Sequence, residues 1–227
     1  MRYRTAIFDM DGTILDTLAD ITDSINVSLF REGFPVRTEE EVRAFIGNGA
    51  AKLVERAVPA GTSAETTRRV LDFYRPYYEA HAQNKTAPYP GVPEVLDALR
   101  AAGVKLAVVS NKPDGAARKL AARHFPGVFS AVAGARDGVA VKPAPDLLSE
   151  VMDRLGAKPS ETVYVGDSDV DIETAKNAGT ACISAAWGFR PESFLRAHGA
   201  SVVAHDAWEL MALIADGERI DPRYKDA

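Results

Sequence analysis

The chain has 227 residues, of which 46% are hydrophobic, and carries a formal net charge of −5. That length suits one large domain or a domain with a smaller insertion, and the composition is that of a folded globular protein. The acidic balance argues against a protein that grips nucleic acid or an anionic membrane, and no apolar run approaches the roughly 20 residues of a spanning helix.

In chain order, Met1-Arg2-Tyr3-Arg4 leads directly into a short apolar strand at 5–8 rather than a secretory segment. Helical periodicity without a strand then fills 17–85, with helices expected at 19–32, 39–46, 50–58 and 63–83. The prolines and glycine of Ala87-Pro88-Tyr89-Pro90-Gly91 interrupt it. Beyond them helices and strands alternate: helix 92–102, strand 105–109, helix 115–123, strand 131–133, helix 145–155, strand 162–165, helix 169–178, strand 181–184, helix 191–197, strand 201–203 and helix 207–215. Gly103, Gly156 and Gly179 stand where left-handed helix caps fall. Short, uniformly apolar strands joined through helices imply right-handed crossovers and a doubly wound parallel sheet covered on both faces. The expected division is an α/β core of residues 1–16 and 86–217, an inserted all-helical domain at 17–85 placed to act as a lid, and a polar tail at 218–227. The single cysteine, Cys182, excludes an intrachain disulfide and reads as a structural thiol among Ala181, Ile183 and Ser184, in keeping with a cytoplasmic protein.

Asp9 and Asp11 stand two residues apart at the mouth of the first strand. Two like charges in a poorly hydrated site disfavour each other's ionised form, so such a pair points to a cation or a reaction. Three more clusters fall at strand ends: Ser110-Asn111-Lys112, Lys142-Pro143, and Gly166-Asp167-Ser168-Asp169-Val170-Asp171. In a parallel sheet all four can converge on one crevice. Asp9 and Asp167 offer the hard oxygen ligands magnesium prefers, the Ser110 hydroxyl and main-chain N–H groups near Asn111 can hold phosphate oxygens, and Lys142 adds a positive charge. Within the insertion, Gly47-Asn48-Gly49 opens a helix, where it serves either as an anion-receiving turn or as an ordinary interhelical one. Arg43 and Lys52 beside it read as solvated, Tyr74, Tyr77 and Tyr78 as packing, and Trp187 as rim or core. His81, His124, His198 and His205 lack metal-ligand spacing.

These four clusters resemble the four motifs of the haloacid dehalogenase superfamily, and the likeness runs from about residue 3 to about residue 216. Within that superfamily, Phe45-Ile46-Gly47-Asn48-Gly49-Ala50, Leu53-Val54-Glu55-Arg56-Ala57, Tyr89-Pro90-Gly91-Val92, Val109-Ser110-Asn111-Lys112-Pro113 and Trp187-Gly188 are most similar to the phosphoglycolate phosphatases, though pyrophosphatases and sugar-phosphate enzymes share most of them. The resemblance implies a Rossmann-like core with a helical cap. It implies that Asp9 is the nucleophile and forms an aspartyl-phosphate, and that Asp11 protonates the leaving alcohol and later deprotonates water. Ser110 and Lys142 would hold the phosphoryl group. Asp9, the main-chain carbonyl of Asp11, and Asp167 would bind Mg2+, with Asp171 orienting the metal site. Ser110 stands where close relatives often carry threonine; the hydroxyl is kept. An acid at Asp11 argues against carbon–halogen chemistry. The implied function is a magnesium-dependent phosphatase for a small phosphorylated metabolite, with 2-phosphoglycolate favoured. The alternatives are a pyrophosphatase, a sugar-phosphate phosphatase or phosphomutase, or a catalytically silent module that binds a phosphorylated ligand. No nucleic-acid or membrane partner is expected, and the protein is expected to be a monomer or homodimer.

Overall fold

A computed structural model describes residues 3–215; the polar tail at 218–227, the last two residues of the expected core segment and the first two residues of the chain lie outside the described residues. Strand β1 (Thr5–Phe8) is central and fully buried. It pairs in parallel with β4 (Lys105–Pro113) on one side and β6 (Thr162–Gly166) on the other. With β5 (Ala131–Ala135), β7 (Ala181–Ala185) and β8 (Val203–Ala204), the sheet runs β5-β4-β1-β6-β7-β8, parallel throughout. After β5 the chain crosses back over β1 to continue on the far side. Strand order therefore reverses at β1, and the carboxyl ends of β1, β4 and β6 frame a crevice.

The pleat sends alternate residues of β1 to opposite faces. Ala6 and Phe8 join a core with α5 (Val92–Ala101), α6 (Asp114–His124) and α10 (Ala207–Ala215). Ile7 and Tyr164 instead pack with Leu147, Leu148, Val151 and Met152 of α7 (Asp146–Leu155) and Ala175 of α8 (Asp169–Ala178). Each fully buried Leu, Val or Phe contributes about 1.5–3 kcal/mol relative to exposure, so both layers are firmly attached. A short helix α9 (Glu192–Ala197) closes a small satellite cluster through Leu195.

Two boundaries differ from expectation in a way that matters. β4 runs on to Pro113, so Ser110 lies within the strand rather than just past it, with a register irregularity between Val109 and Pro113. An antiparallel pair of two-residue strands, β2 (Leu15–Asp16) and β3 (Ala87–Pro88), clamps the two chain crossings into the insertion. Two residues carry no readable periodicity, so the pair is silent in the sequence.

Between β2 and β3 lie only helices: α1 (Leu18–Arg31), α2 (Glu39–Phe45), α3 (Gly49–Ala57) and α4 (Ala64–His81). A Thr38–Glu41 capping box starts α2, the reciprocal arrangement that satisfies two orphan N–H groups. The four helices share an apolar cluster of Ile21, Ile25, Leu29, Val42, Leu53, Val54, Val70, Tyr74 and Tyr78, joined by Phe189 from the core. Among the described residues, no helix is long and apolar enough to cross a membrane.

Candidate active site

Residues following β1 turn sharply. Gly12 adopts φ +81°, and a Cβ there would fall 2.3 Å from Asp167 Oδ2. Only glycine allows both that backbone and that close approach. The turn presents Asp9 and Asp11, the end of β4 presents Ser110, Asn111 and Lys112, and the end of β6 presents Asp167 and Ser168. These residues line one crevice with Gly47, Gly49, Tyr74, Tyr78, Phe189 and Arg190; its cavity is about 70 Å³.

Asp9 Oδ1 accepts from its neighbour Met10 N at 2.7 Å and stands 3.0 Å from Lys142 Nζ. The same ammonium donates to Asp171 Oδ1 at 2.6 Å and to the Tyr164 hydroxyl at 2.9 Å. The ammonium is thus engaged by three groups, of which only Asp9 lines the crevice. Burial by itself would strip the proton from Lys142, but Asp171 and then Asp9 outweigh it and hold its pKa above the usual lysine value. Burial, opposed by Lys142 and reinforced by Asp171 and Asp11, raises Asp9 to about 6. Asn111 clamps this arrangement: its Oδ1 accepts from Lys142 N at 2.8 Å, and its Nδ2 donates to Lys142 O at 3.0 Å and to Gly47 O at 3.2 Å.

Asp9, Asp167 and Asp171 each offer an oxygen within 4.8 Å of the others. Asp171 is fully engaged. Lys142 and the Tyr164 hydroxyl donate to Oδ1, and Ser168 N and Oγ donate to Oδ2 at 3.1 and 2.5 Å, as part of the capping box that starts α8. Asp167 is different. It is 2% exposed, takes one bond from Thr13 Oγ1 at 3.1 Å and one from Phe189 N at 2.7 Å, and has no ion-pair partner among the described residues. Burial, with Asp171 and Asp9 adding to it, pushes Asp167 well above the usual carboxylate range. A buried acid without a cation beside a second acid fits a divalent ion, and carboxylate oxygens suit magnesium.

Sequence reasoning brought Asp9, Ser110, Asn111, Lys142, Asp167 and Asp171 toward one place, and they are together. Of the turn opening α3, Gly47 and Gly49 line the crevice, whereas the Asn48 side chain accepts from Arg56 Nη2 at 2.8 Å. Lys52 pairs with Glu55 on the surface and Arg43 is exposed, as read from the sequence. Tyr74 and Tyr78 do pack, stacked with centroids 5.5 Å apart, but they also line the crevice. The sequence reading assigned no role to Lys112 or Arg190. The Lys112 ammonium stands 2.9 Å from Asp11 Oδ1, with both side chains largely buried. Arg190 donates to the carbonyls of Arg43 (2.8 Å), Ala44 (3.2 Å) and Ile46 (2.7 Å) at the end of α2. Lys112 had a signal, since it directly follows Ser110-Asn111; Arg190 had none, because its partners are backbone atoms about 145 residues away. Cys182, half-buried, has its thiol pushed up to about 12 by burial, which leaves it inert as a nucleophile.

A doubly wound sheet with a carboxylate cluster and a buried ammonium at its switch point is an arrangement suited to hydrolysing phosphate esters. Residues 6–185 match the family model described as haloacid dehalogenase-like hydrolase, and the chain belongs to that family. It is similar to the phosphoglycolate phosphatase of Pseudomonas syringae pv. tomato, 34% identical over 96% of this chain and 83% of that one. Against the phosphoglycolate phosphatase of Aquifex aeolicus the identity is 33%, over 82% and 86% of the two chains. A crystal structure from Lactobacillus delbrueckii subsp. bulgaricus, named as a candidate phosphoglycolate phosphatase, superposes with a TM-score of 0.90 at 39% identity, over 94% of this chain and 99% of that one. The protein is accordingly a phosphoric monoester hydrolase, which sets aside the silent binding module.

Proposed function

We propose that the crevice hydrolyses a small phosphate monoester with the help of magnesium, that 2-phosphoglycolate is the favoured substrate, and that residues 17–85 form a cap over the reaction. The observation that carries this reading is the pairing of Asp9, held on Lys142, with Asp167, a buried acid that lacks a basic partner among the described residues. Asp9, Asp167 and the main-chain carbonyl of Asp11 would hold the ion. Asp171 would orient the site without touching the ion, because both of its oxygens already accept bonds. When bound, the ion offsets repulsion between carboxylate and phosphate.

Asp9 attacks phosphorus through a carboxylate oxygen, and the phosphorus–oxygen bond to the alcohol breaks. Asp11 gives its proton to that departing oxygen. It then takes a proton from the water that cleaves the aspartyl-phosphate, releasing phosphate and restoring both acids. Dividing hydrolysis this way lowers each barrier. Lys142, with its protons directed at Asp9, Asp171 and Tyr164, holds the nucleophile ionised and aimed. Ser110, 2% exposed at the end of β4, offers its hydroxyl to a phosphoryl oxygen. The small cavity and the names of the relatives support a small ester.

The test is phosphate release from 2-phosphoglycolate, pyrophosphate and hexose phosphates, with magnesium and with excess chelator, by the wild type and Asp9→Asn. Expected is magnesium-dependent turnover fastest on 2-phosphoglycolate, and loss of turnover in the folded variant, since an amide is a poor nucleophile. A fully active variant would exclude attack by Asp9. A faster reaction on another ester would reassign the substrate.

A further inference from the structure

Of the two buried ammonium groups around the crevice, Lys142 faces down into the carboxylates, and only Lys112 lines the cavity. We infer that Lys112 is a specificity-determining residue that selects esters whose alcohol half carries a carboxylate; this rests on the phosphomonoesterase reading above. If phosphorus sits on Asp9 and the leaving oxygen on Asp11, the rest of the alcohol extends past Asp11. Lys112 Nζ is 2.9 Å from Asp11 Oδ1, and both side chains line the cavity. A carboxyl carbon two bonds from the leaving oxygen therefore arrives beside the ammonium.

Charge supports the same assignment. Lys112 is buried, its side chain 2% exposed. It is ion-paired with Asp11 and gives one donor to the hydroxyl of Tyr78, whose ring centroid lies 4.4 Å from the ammonium. Among the described residues no other acceptor meets a remaining donor. The other cation lining the cavity, Arg190, gives three of its five N–H donors to carbonyls at the end of α2. A second anion entering the cavity finds Lys112 as its counter-charge, and a neutral alcohol leaves that donor desolvated and unanswered. Sites built around a buried polar group reject ligands that lack its partner more strongly than they reject mere differences in size. Tyr78 comes from α4, so the insertion helps to aim the ammonium.

The experiment compares steady-state kinetics on 2-phosphoglycolate and on ethyl phosphate, which has a neutral alcohol half of the same length. The enzymes are the magnesium-loaded wild type, Lys112→Met and Tyr78→Phe. Tyr78→Phe loses one hydroxyl and keeps the packing, so a result is secured should Lys112→Met fold poorly. Expected for the wild type is a clear preference for 2-phosphoglycolate. In Lys112→Met the ratio of kcat/KM values between the two substrates should fall by about 10- to 100-fold, mostly through KM on the carboxylate ester. Tyr78→Phe should shift the ratio the same way by a smaller factor. Equal losses on both substrates in the variants would overturn the inference and leave Lys112 as a positioning residue for Asp11, with the phosphatase reading intact. A wild type that does not discriminate would overturn the carboxylate-bearing substrate, and the role of Lys112 with it.

Discussion

Asp9 shows how a single side chain reports the chemistry around it. Its pKa is raised from 3.8 to about 6, by burial first and by Asp171 and Asp11, against the pull of Lys142. A raised acid keeps its proton in the folded state over a range where the unfolded chain has released it. Its contribution to stability is therefore full below pH 3.8 and is lost as pH rises through about 6. In chelator, the wild-type melting temperature should drop between pH 4 and 6 more steeply than that of Asp9→Asn, which has no proton to lose there. Parallel melting profiles for the two proteins would show that Asp9 is not the titrating group. The residue types at this site were readable because chemistry constrains them: an acid pair at a strand mouth has few other uses. What the residue list did not reveal was division of labour. Asn111 is a clamp on Lys142 and Gly47 rather than a free donor, since its side chain is already committed to both.

The insertion is fastened to the core at its hinge. Asp20 of α1 is 2% exposed, and its carboxylate accepts from Lys85 N at 3.0 Å, Thr86 N at 2.9 Å and Thr86 Oγ1 at 2.8 Å. Those donors sit in the return crossing just before β3. Asp20→Ala removes their acceptor and leaves buried N–H groups unanswered, which costs about 1–3 kcal/mol. Urea denaturation should show the unfolding free energy lowered by that amount and the midpoint moved down accordingly, while Asp23→Ala, which breaks only an exposed pair with Lys85, should change it little. An unshifted midpoint in Asp20→Ala would show that the staple contributes nothing. In the sequence Asp20 looks like any acid in a first helical turn. Its role depends on residues some 65 positions later, a separation that local periodicity does not span.

For the molecule as a whole, the loop after β7 links two separate requirements. Phe189 N donates to Asp167, and the Phe189 ring joins the apolar cluster of the insertion. The next residue, Arg190, holds the end of α2 through three carbonyls. Gly188 makes this possible, because a Cβ there would meet Asp167 Cβ at 2.3 Å and Gly12 O at 2.4 Å. The contact that closes the insertion over the crevice and the bond that orients a candidate metal ligand therefore lie on adjacent residues. Arg190→Ala should loosen the insertion. The expected outcome is a severalfold rise in KM with a smaller change in kcat, and faster tryptic cleavage within 17–85, at nearly constant melting temperature. Unaltered KM and proteolysis would mean that apolar packing around Phe189 suffices.

The alternation of short apolar runs with helical periodicity determined the doubly wound sheet, since strands buried on both faces and covered by helices allow few other arrangements. The acid clusters after β1 and β6 likewise determined where the crevice had to form, because parallel strands deliver their carboxyl ends to one edge; Ser110, within β4, and Lys142, in the loop between β5 and α7, reach it from positions that are not strand ends. Only the tertiary structure decided which ammonium faces the cavity, which buried acid lacks an ion-pair partner among the described residues, and how the insertion is held. Lys112 and Lys142 each precede a proline, and their neighbours do not say which ammonium faces the cavity. Their different roles arise from packing against Tyr78 and Tyr164, contacts made by residues 34 and 22 positions away.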